Sequence, residues 1–167
     1  MLLYEDARRR AATVLAHFPI ARRDINGLVQ IAAHYGAAVD FRPLDSSVSG
    51  LVLKEDNGQP IIYINSLEPL VRQRFTLAHE IGHLVERREV ANDTEYSFID
   101  YRSTDPESYD LHEFYADEFA GSLLMPAHEF LPMLEEKGEF ATAVHFGVSA
   151  PAVRKRAERL EKTPEVY

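Results

Sequence analysis

The chain has 167 residues with 27 acidic and 18 basic side chains, a formal net charge of −9. That charge repels phosphate on average and argues against a general nucleic-acid binder. Cysteine is absent, which excludes a disulfide framework and thiolate metal sites, so any metal must be held by His and carboxylates. The length suits one domain, and 46% hydrophobic with 27% charged residues fits a globular rather than a disordered chain.

From the start, Met1 to Phe18 is interrupted by Glu5, Asp6 and the Arg8-Arg9-Arg10 triplet. No apolar core follows, so no secretory leader is expected. No run approaches the ~18 apolar residues of a membrane span, and the expectation is a soluble, cytoplasmic protein. Ala7 to His17 is apolar at helical spacing and stops before Pro19. A second helix is predicted from Asp24 to Tyr35, with Gly36 as its stop. Ala37 to Phe41 reads as a short strand. Leu51 to Leu53 and Ile61 to Ile64, joined across Asn57-Gly58, read as a β-hairpin. Ser66 is predicted to cap a helix running from Leu67 to about Arg87, with Pro69 in its first turn. Residues 88–110 are polar, Tyr-rich and aperiodic, and are expected to form a long loop acting as a mobile flap. A further helix is predicted over Leu111–Leu124, ending before Pro126. The remainder is helical in pattern, with breaks near Pro132, Gly138 and Gly147. Helices around a small sheet make the fold α+β. The expected division is a core over 1–130 and a C-terminal helical segment, packed on it, over 131–167.

The third predicted helix carries His79-Glu80-Ile81-Gly82-His83. This HExxH spacing puts two imidazoles on one helical face, able to reach one ion. Glu80 lies about 100° around, near a water on that ion but not ligating. Leu77, Ile81, Leu84 and Val85 cluster on the opposite face, so the helix is expected to bury one side and present ligands on the other. Gly82 falls near the histidine side and permits close approach of another segment. A catalytic zinc wants three protein ligands and an open position. Glu86 and Glu89 stand where a metzincin would need Gly and His, which excludes that class. The third ligand is expected on the next helix, at Glu113, beside an apolar face of Ala116, Phe119, Ala120, Leu123 and Leu124. A carboxylate turned towards a core is costly unless paired or metal-bound. Asp117, one turn on, is placed to accept from the free ring N–H of a ligating histidine. His112 is a rival ligand, but it points about 100° away from Glu113.

The run Arg74-Phe-Thr-Leu-Ala-His-Glu-Ile-Gly-His-Leu, followed by Glu113-Phe-Tyr-Ala-Asp-Glu-Phe-Ala and Leu123-Leu-Met-Pro, resembles the ImmA/IrrE family of metallopeptidases. The resemblance spans about residues 24–160 and includes Phe146-Gly-Val-Ser-Ala-Pro-Ala-Val-Arg near the end. It implies a zincin-like core with a gluzincin-like site: His79, His83 and Glu113 as metal ligands and Glu80 as general base. It implies Zn2+, though manganese or another divalent ion suits the same ligands. It also implies cytosolic proteins that cleave a helix-turn-helix repressor and so relieve repression of stress or mobile-element genes. One departure is Asp117, where the family often has Asn. Some relatives have lost catalysis and act in toxin–antitoxin pairs, whereas all four key residues are intact here.

The expected reaction is peptide-bond hydrolysis, with Glu80 moving the proton. An oxyanion donor is sought among Tyr96, Tyr101, Tyr109 and His112. The strand from Ile61 to Asn65 is a candidate sheet edge along which a substrate backbone pairs. Two alternatives stand beside the enzyme. One is a DNA-binding regulator using Arg154, Lys155, Arg156 and Arg159 on a helix capped by Ser149, in a helix-turn-helix-like pattern. Glu158, Glu161 and the acidic balance of the chain count against it. The other is a non-catalytic module with the metal as a staple, which a site lacking a fourth protein ligand disfavours.

Overall fold

The apolar runs separated by Gly, Pro and Asx residues become six α-helices and four strands among the residues described in the computed structural model: 1–19, 24–54, 58–90, 98–101 (backbone only) and 110–165. Helix α1 spans Leu3–His17 and α2 Ile25–His34. Asp24 caps α2 by accepting from the Asn26 N–H at 2.8 Å. Gly36, at φ 82°, takes the left-handed turn that ends it, as expected. Strands β1 (Ala38–Arg42), β2 (Val48–Leu53) and β3 (Ile61–Asn65) follow. Strands β2 and β3 form the expected antiparallel pair, while β1 runs parallel to β3.

Two expectations about the sheet are corrected. Strand order is β1-β3-β2-β4, so the strand from Ile61 is interior and its backbone is committed on both sides. It is not an edge for substrate. The segment expected to be a loop also holds β4 (Phe98–Tyr101), antiparallel to β2, preceded by a π-helical turn over Glu86–Val90. The rest of the expected flap, 91–97 and 102–109, lies outside the described residues, as do its mobility and the turn residue Asn57.

Helix α3 covers Leu70–Val85 and carries the HExxH motif. It begins later than expected, with Pro69 at its N-cap and no capping side chain. Ser66 instead ends the sheet, its N–H donating to the Arg42 carbonyl at 3.0 Å. Asn65 organises the turn through its Oδ1, which accepts from the Leu44 and Leu67 N–H groups at 3.2 and 3.1 Å. Leu77, Ile81, Leu84 and Val85 are buried as expected. The histidine side is buried as well, because α4 (Leu111–Leu124) crosses it.

Helix α5 (Ala127–Phe146) runs through Pro132 without the expected break. It kinks at Gly138, whose φ of 83° is left-handed. Arg74 of α3, nearly buried, donates from Nη1 to the Phe146 carbonyl at 2.9 Å and also to that of Gly147. A cation there satisfies the exposed carbonyls of a helix C-terminus. Helix α6 (Ala150–Lys162) starts at Ser149, whose hydroxyl accepts from the Ala152 N–H. Among the described residues no helix is long and apolar enough to cross a membrane.

Candidate metal centre

The site is made where α3 and α4 cross, and glycine makes the crossing possible. A Cβ on Gly82 would lie 3.0 Å from the Ala116 Cα and 3.2 Å from the Phe119 Cβ. With hydrogen there, α4 lies directly over the histidine side of α3. Asp110 fixes the start of α4, its Oδ1 accepting from the Glu113 N–H at 2.9 Å. Glu113 thereby sits in the first turn, at the end of α4 that faces the two histidines.

His79 and His83, buried at 4% and 1% exposure, stack edge-to-face with ring centroids 4.8 Å apart. The Glu113 carboxylate spans both: Oε2 is 3.1 Å from His79 Nε2, and Oε1 is 2.9 Å from His83 Nε2. These three residues offer ligand atoms within 4.8 Å of one another. Ligands held tetrahedrally at about 2 Å from one ion stand roughly 3.3 Å apart, close to the spacing here.

The protonation pattern explains why these atoms suit a cation. His79 Nδ1 is 2.9 Å from Asp117 Oδ1. Burial would raise Asp117, but the hydrogen bond and charge from His79, then Lys155, hold it well below the usual carboxylate range. An ionised carboxylate only accepts, so Nδ1 carries a hydrogen towards Asp117, and without a metal Nε2 carries the one it shares with Glu113. Burial opposes ionisation of Glu113 as well, and contact with both histidines overrides it, holding that carboxyl well below its ordinary value. A divalent ion would take the place of the hydrogens that the two Nε2 atoms share with Glu113, leaving neutral imidazoles and a carboxylate facing it. The donor set, two imidazoles and one carboxylate with no thiolate, fits zinc and several other divalent ions.

Glu80, next to His79 on α3, is fully buried. His112 does not join the three ligand atoms; its Nδ1 lies against Oε1 of the nearly buried Glu86 in the π-helical turn. Tyr96, Tyr109 and the side chain of Tyr101 lie outside the described residues.

Sequence reasoning missed the partners of Asp117. Its Oδ2 accepts from Lys155 Nζ at 3.0 Å, and the Arg159 guanidinium stands 3.6 Å away. Both come from α6, 38 residues and more along the chain, where no local pattern signals the pairing. Beside them, buried Glu118 binds Arg8 Nε at 2.7 Å, Arg159 Nη1 at 2.9 Å and Arg156 Nη1 at 3.3 Å, joining α1, α4 and α6. Arg156 also donates to the Met125 carbonyl at 3.1 Å, and Arg154 pairs with Glu139. The four basic residues read as DNA-contact candidates are thus all engaged within the chain.

Compared with protein-family models, residues 31–158 match Peptidase_M78, described as the IrrE N-terminal-like domain. A comparison with curated proteins finds no match. The family is metal-dependent and its name points to a metallopeptidase, in keeping with the grouping of His79, His83 and Glu113.

Proposed function

The chain belongs to the Peptidase_M78 family, and from that premise we propose that it is a zinc-dependent endopeptidase acting in the cytoplasm. Its substrate is a protein, a helix-turn-helix repressor whose cleavage relieves repression of stress or mobile-element genes. One observation carries the chemical part: His79, His83 and Glu113 converge from two helices with a fully buried Glu80 beside them.

In this reading His79, His83 and Glu113 hold the ion, and Asp117 orients His79 through its Nδ1–H. When bound, the ion supplies Lewis acidity, polarising the scissile carbonyl and making a water acidic near neutral pH. Glu80 accepts the proton of the attacking water and delivers it to the leaving amide nitrogen. The choice of repressor as substrate draws on the family resemblance. Supporting it over direct operator binding, Arg154, Lys155, Arg156 and Arg159 are spent on ion pairs within the chain.

Glu80→Gln tests the reading. Gln is isosteric but cannot take the proton, so metal content should persist while cleavage falls by about 10²–10⁴-fold. Repressor integrity on a gel, beside reporter output, is measured for the two proteins co-expressed with the repressor. Full reporter induction by Glu80→Gln with the repressor uncut would overturn the peptidase.

A further inference from the structure

The basic stripe of α6 looks from sequence like a surface for an external anion, but the structure turns one of its charges inward. Lys155 Nζ donates to Asp117 Oδ2 at 3.0 Å, and the other oxygen of the same carboxylate lies 2.9 Å from His79 Nδ1. Asp117 is nearly buried, with its side chain 12% exposed, while that of Lys155 is half exposed. A carboxylate can rotate about its Cβ–Cγ bond, and a single hydrogen bond at Oδ1 does not stop it. A donor on Oδ2 does, by fixing both oxygens in one plane, and Lys155 stands closer to Oδ2 than Arg159, whose guanidinium is 3.6 Å away.

We infer that Lys155 is a positioning residue for the metal site: from α6 it locks the Asp117 carboxylate and thereby the ring of His79. Helix α6 is itself well anchored for the purpose. Arg156, 3% exposed, ties it to Glu118 and to the Met125 carbonyl, and Arg159 lies over the Phe114 ring, 4.8 Å from its centroid. Helix α6 thus supports the site through Asp117, Glu118 and Phe114 of α4, although none of its residues is among the three grouped ligands. This role presupposes the metal centre proposed above.

Charge and positioning predict opposite signs, which makes the inference testable. By Coulomb's law alone, a cation two hydrogen bonds from a metal ligand disfavours a divalent ion, so its removal should tighten binding. If Lys155 positions His79, its removal should weaken binding. The affinity of the full-length protein for Zn2+ is measured by competition with a chromophoric chelator, and the visible spectrum of the Co2+-loaded protein reports ligand geometry. Lys155→Met should lower Zn2+ affinity about 3–10-fold, below the 10–100-fold typical of losing an outer-shell partner outright, and should alter the Co2+ spectrum. Lys155→Arg should restore both. In an Asp117→Asn background, Lys155→Met should no longer lower affinity, because the path to His79 is already cut. Unchanged or tighter Zn2+ binding by Lys155→Met overturns the inference while leaving the metal site standing. So does an equal loss in the Asp117→Asn background. A wild-type protein that binds neither ion overturns the metal site, and the inference with it.

Discussion

Gly82→Ala is a one-methyl change that separates the fold from the site. The added Cβ would meet Ala116 Cα at 3.0 Å, Ala116 O at 3.1 Å and Phe119 Cβ at 3.2 Å. Two of these are backbone atoms, which cannot swing aside. Comfortable contact between carbons needs about 3.5–4.0 Å, so α3 and α4 must part by roughly 0.5 Å at the crossing. Overpacking of this kind costs about 1–3 kcal/mol, and replacing Gly by Ala inside a helix returns about 1 kcal/mol. The net effect on folding is a loss of about 0–2 kcal/mol, which the domain should survive.

The proposed metal site should have no such tolerance. His79 and His83 flank Gly82 on α3, and Glu113 lies one turn from Ala116 on α4, so parting the helices moves the ligands apart by a similar distance. Coordination distances hold to about ±0.2 Å, less than half the expected shift. Zn2+ affinity should therefore fall by about ten- to a hundred-fold, a loss as large as that of removing a residue which supports a ligand. The assay is chelator competition for Zn2+, paired with urea unfolding of the EDTA-treated protein. Wild-type affinity in a protein destabilised by the methyl would refute the claim that the crossing distance sets ligand geometry. So would a protein too unstable to fold, because the estimated cost would then be wrong.

Single replacements of His79, His83 or Glu113 by Ala should each abolish stoichiometric metal, read by elemental analysis; full metal in Glu113→Ala would remove it from the ligand set. Because ligands that bind only the folded state stabilise it, EDTA should lower the thermal midpoint of the wild type and Zn2+ should restore it. Glu118→Ala takes from Arg8 and Arg156 the more buried of their two shared carboxylates, leaving them Glu165, and should cost about 1–3 kcal/mol by urea unfolding; no measurable loss would show that Glu165 or water takes over. Asp117 is depressed below its unfolded value of 3.8, so its contribution to metal-free stability is full above that value and is lost as pH falls towards the folded one. Asp117→Asn should therefore flatten the decline in urea stability between about pH 4 and 2; an unaltered acid limb would count against a native ion pair there.

How much could be read in advance depended on whether the signal was local. Helix α4 has the bounds expected of it, Leu111–Leu124, because Asp110 before it and Pro126 after it act within a few residues. Strand β4 escaped because four residues, Phe98-Ile-Asp-Tyr, carry no period, and their pairing is decided by the free side of β2. The start of α3 was misplaced because Ser66, a good cap in isolation, falls in the turn that Asn65 organises at the end of β3, and the helix starts only after Pro69. Pro132 reads as a breaker, yet it lies in the second turn of α5, where the lost bond would go to the carbonyl of exposed His128. The helical repeat also placed His79, His83 and Glu113 correctly on their own elements, since it is local too. It could not show that α4 closes over the histidines, which depends on Gly82 meeting Ala116.

That closure explains why so much charge can be kept at the heart of a small domain. Glu80, His79, His83 and Glu118 are each at most 4% exposed, and ionised groups so placed are costly without compensation. The compensation is arranged in layers from α3 outward: imidazoles against Glu113 and Asp117, then Lys155 and Arg159 against Asp117, then Arg8, Arg156 and Arg159 around Glu118. The layers draw on α4, α6 and α1, so the geometry of the proposed ligands depends on the distances between helices. The weak points of such a site should lie at the crossing residues Gly82 and Ala116 and at the α6 contacts, as well as at the proposed ligands. Substitutions there should impair metal binding before they impair folding, the opposite order to that expected for replacing Phe119 or Leu123 in the core.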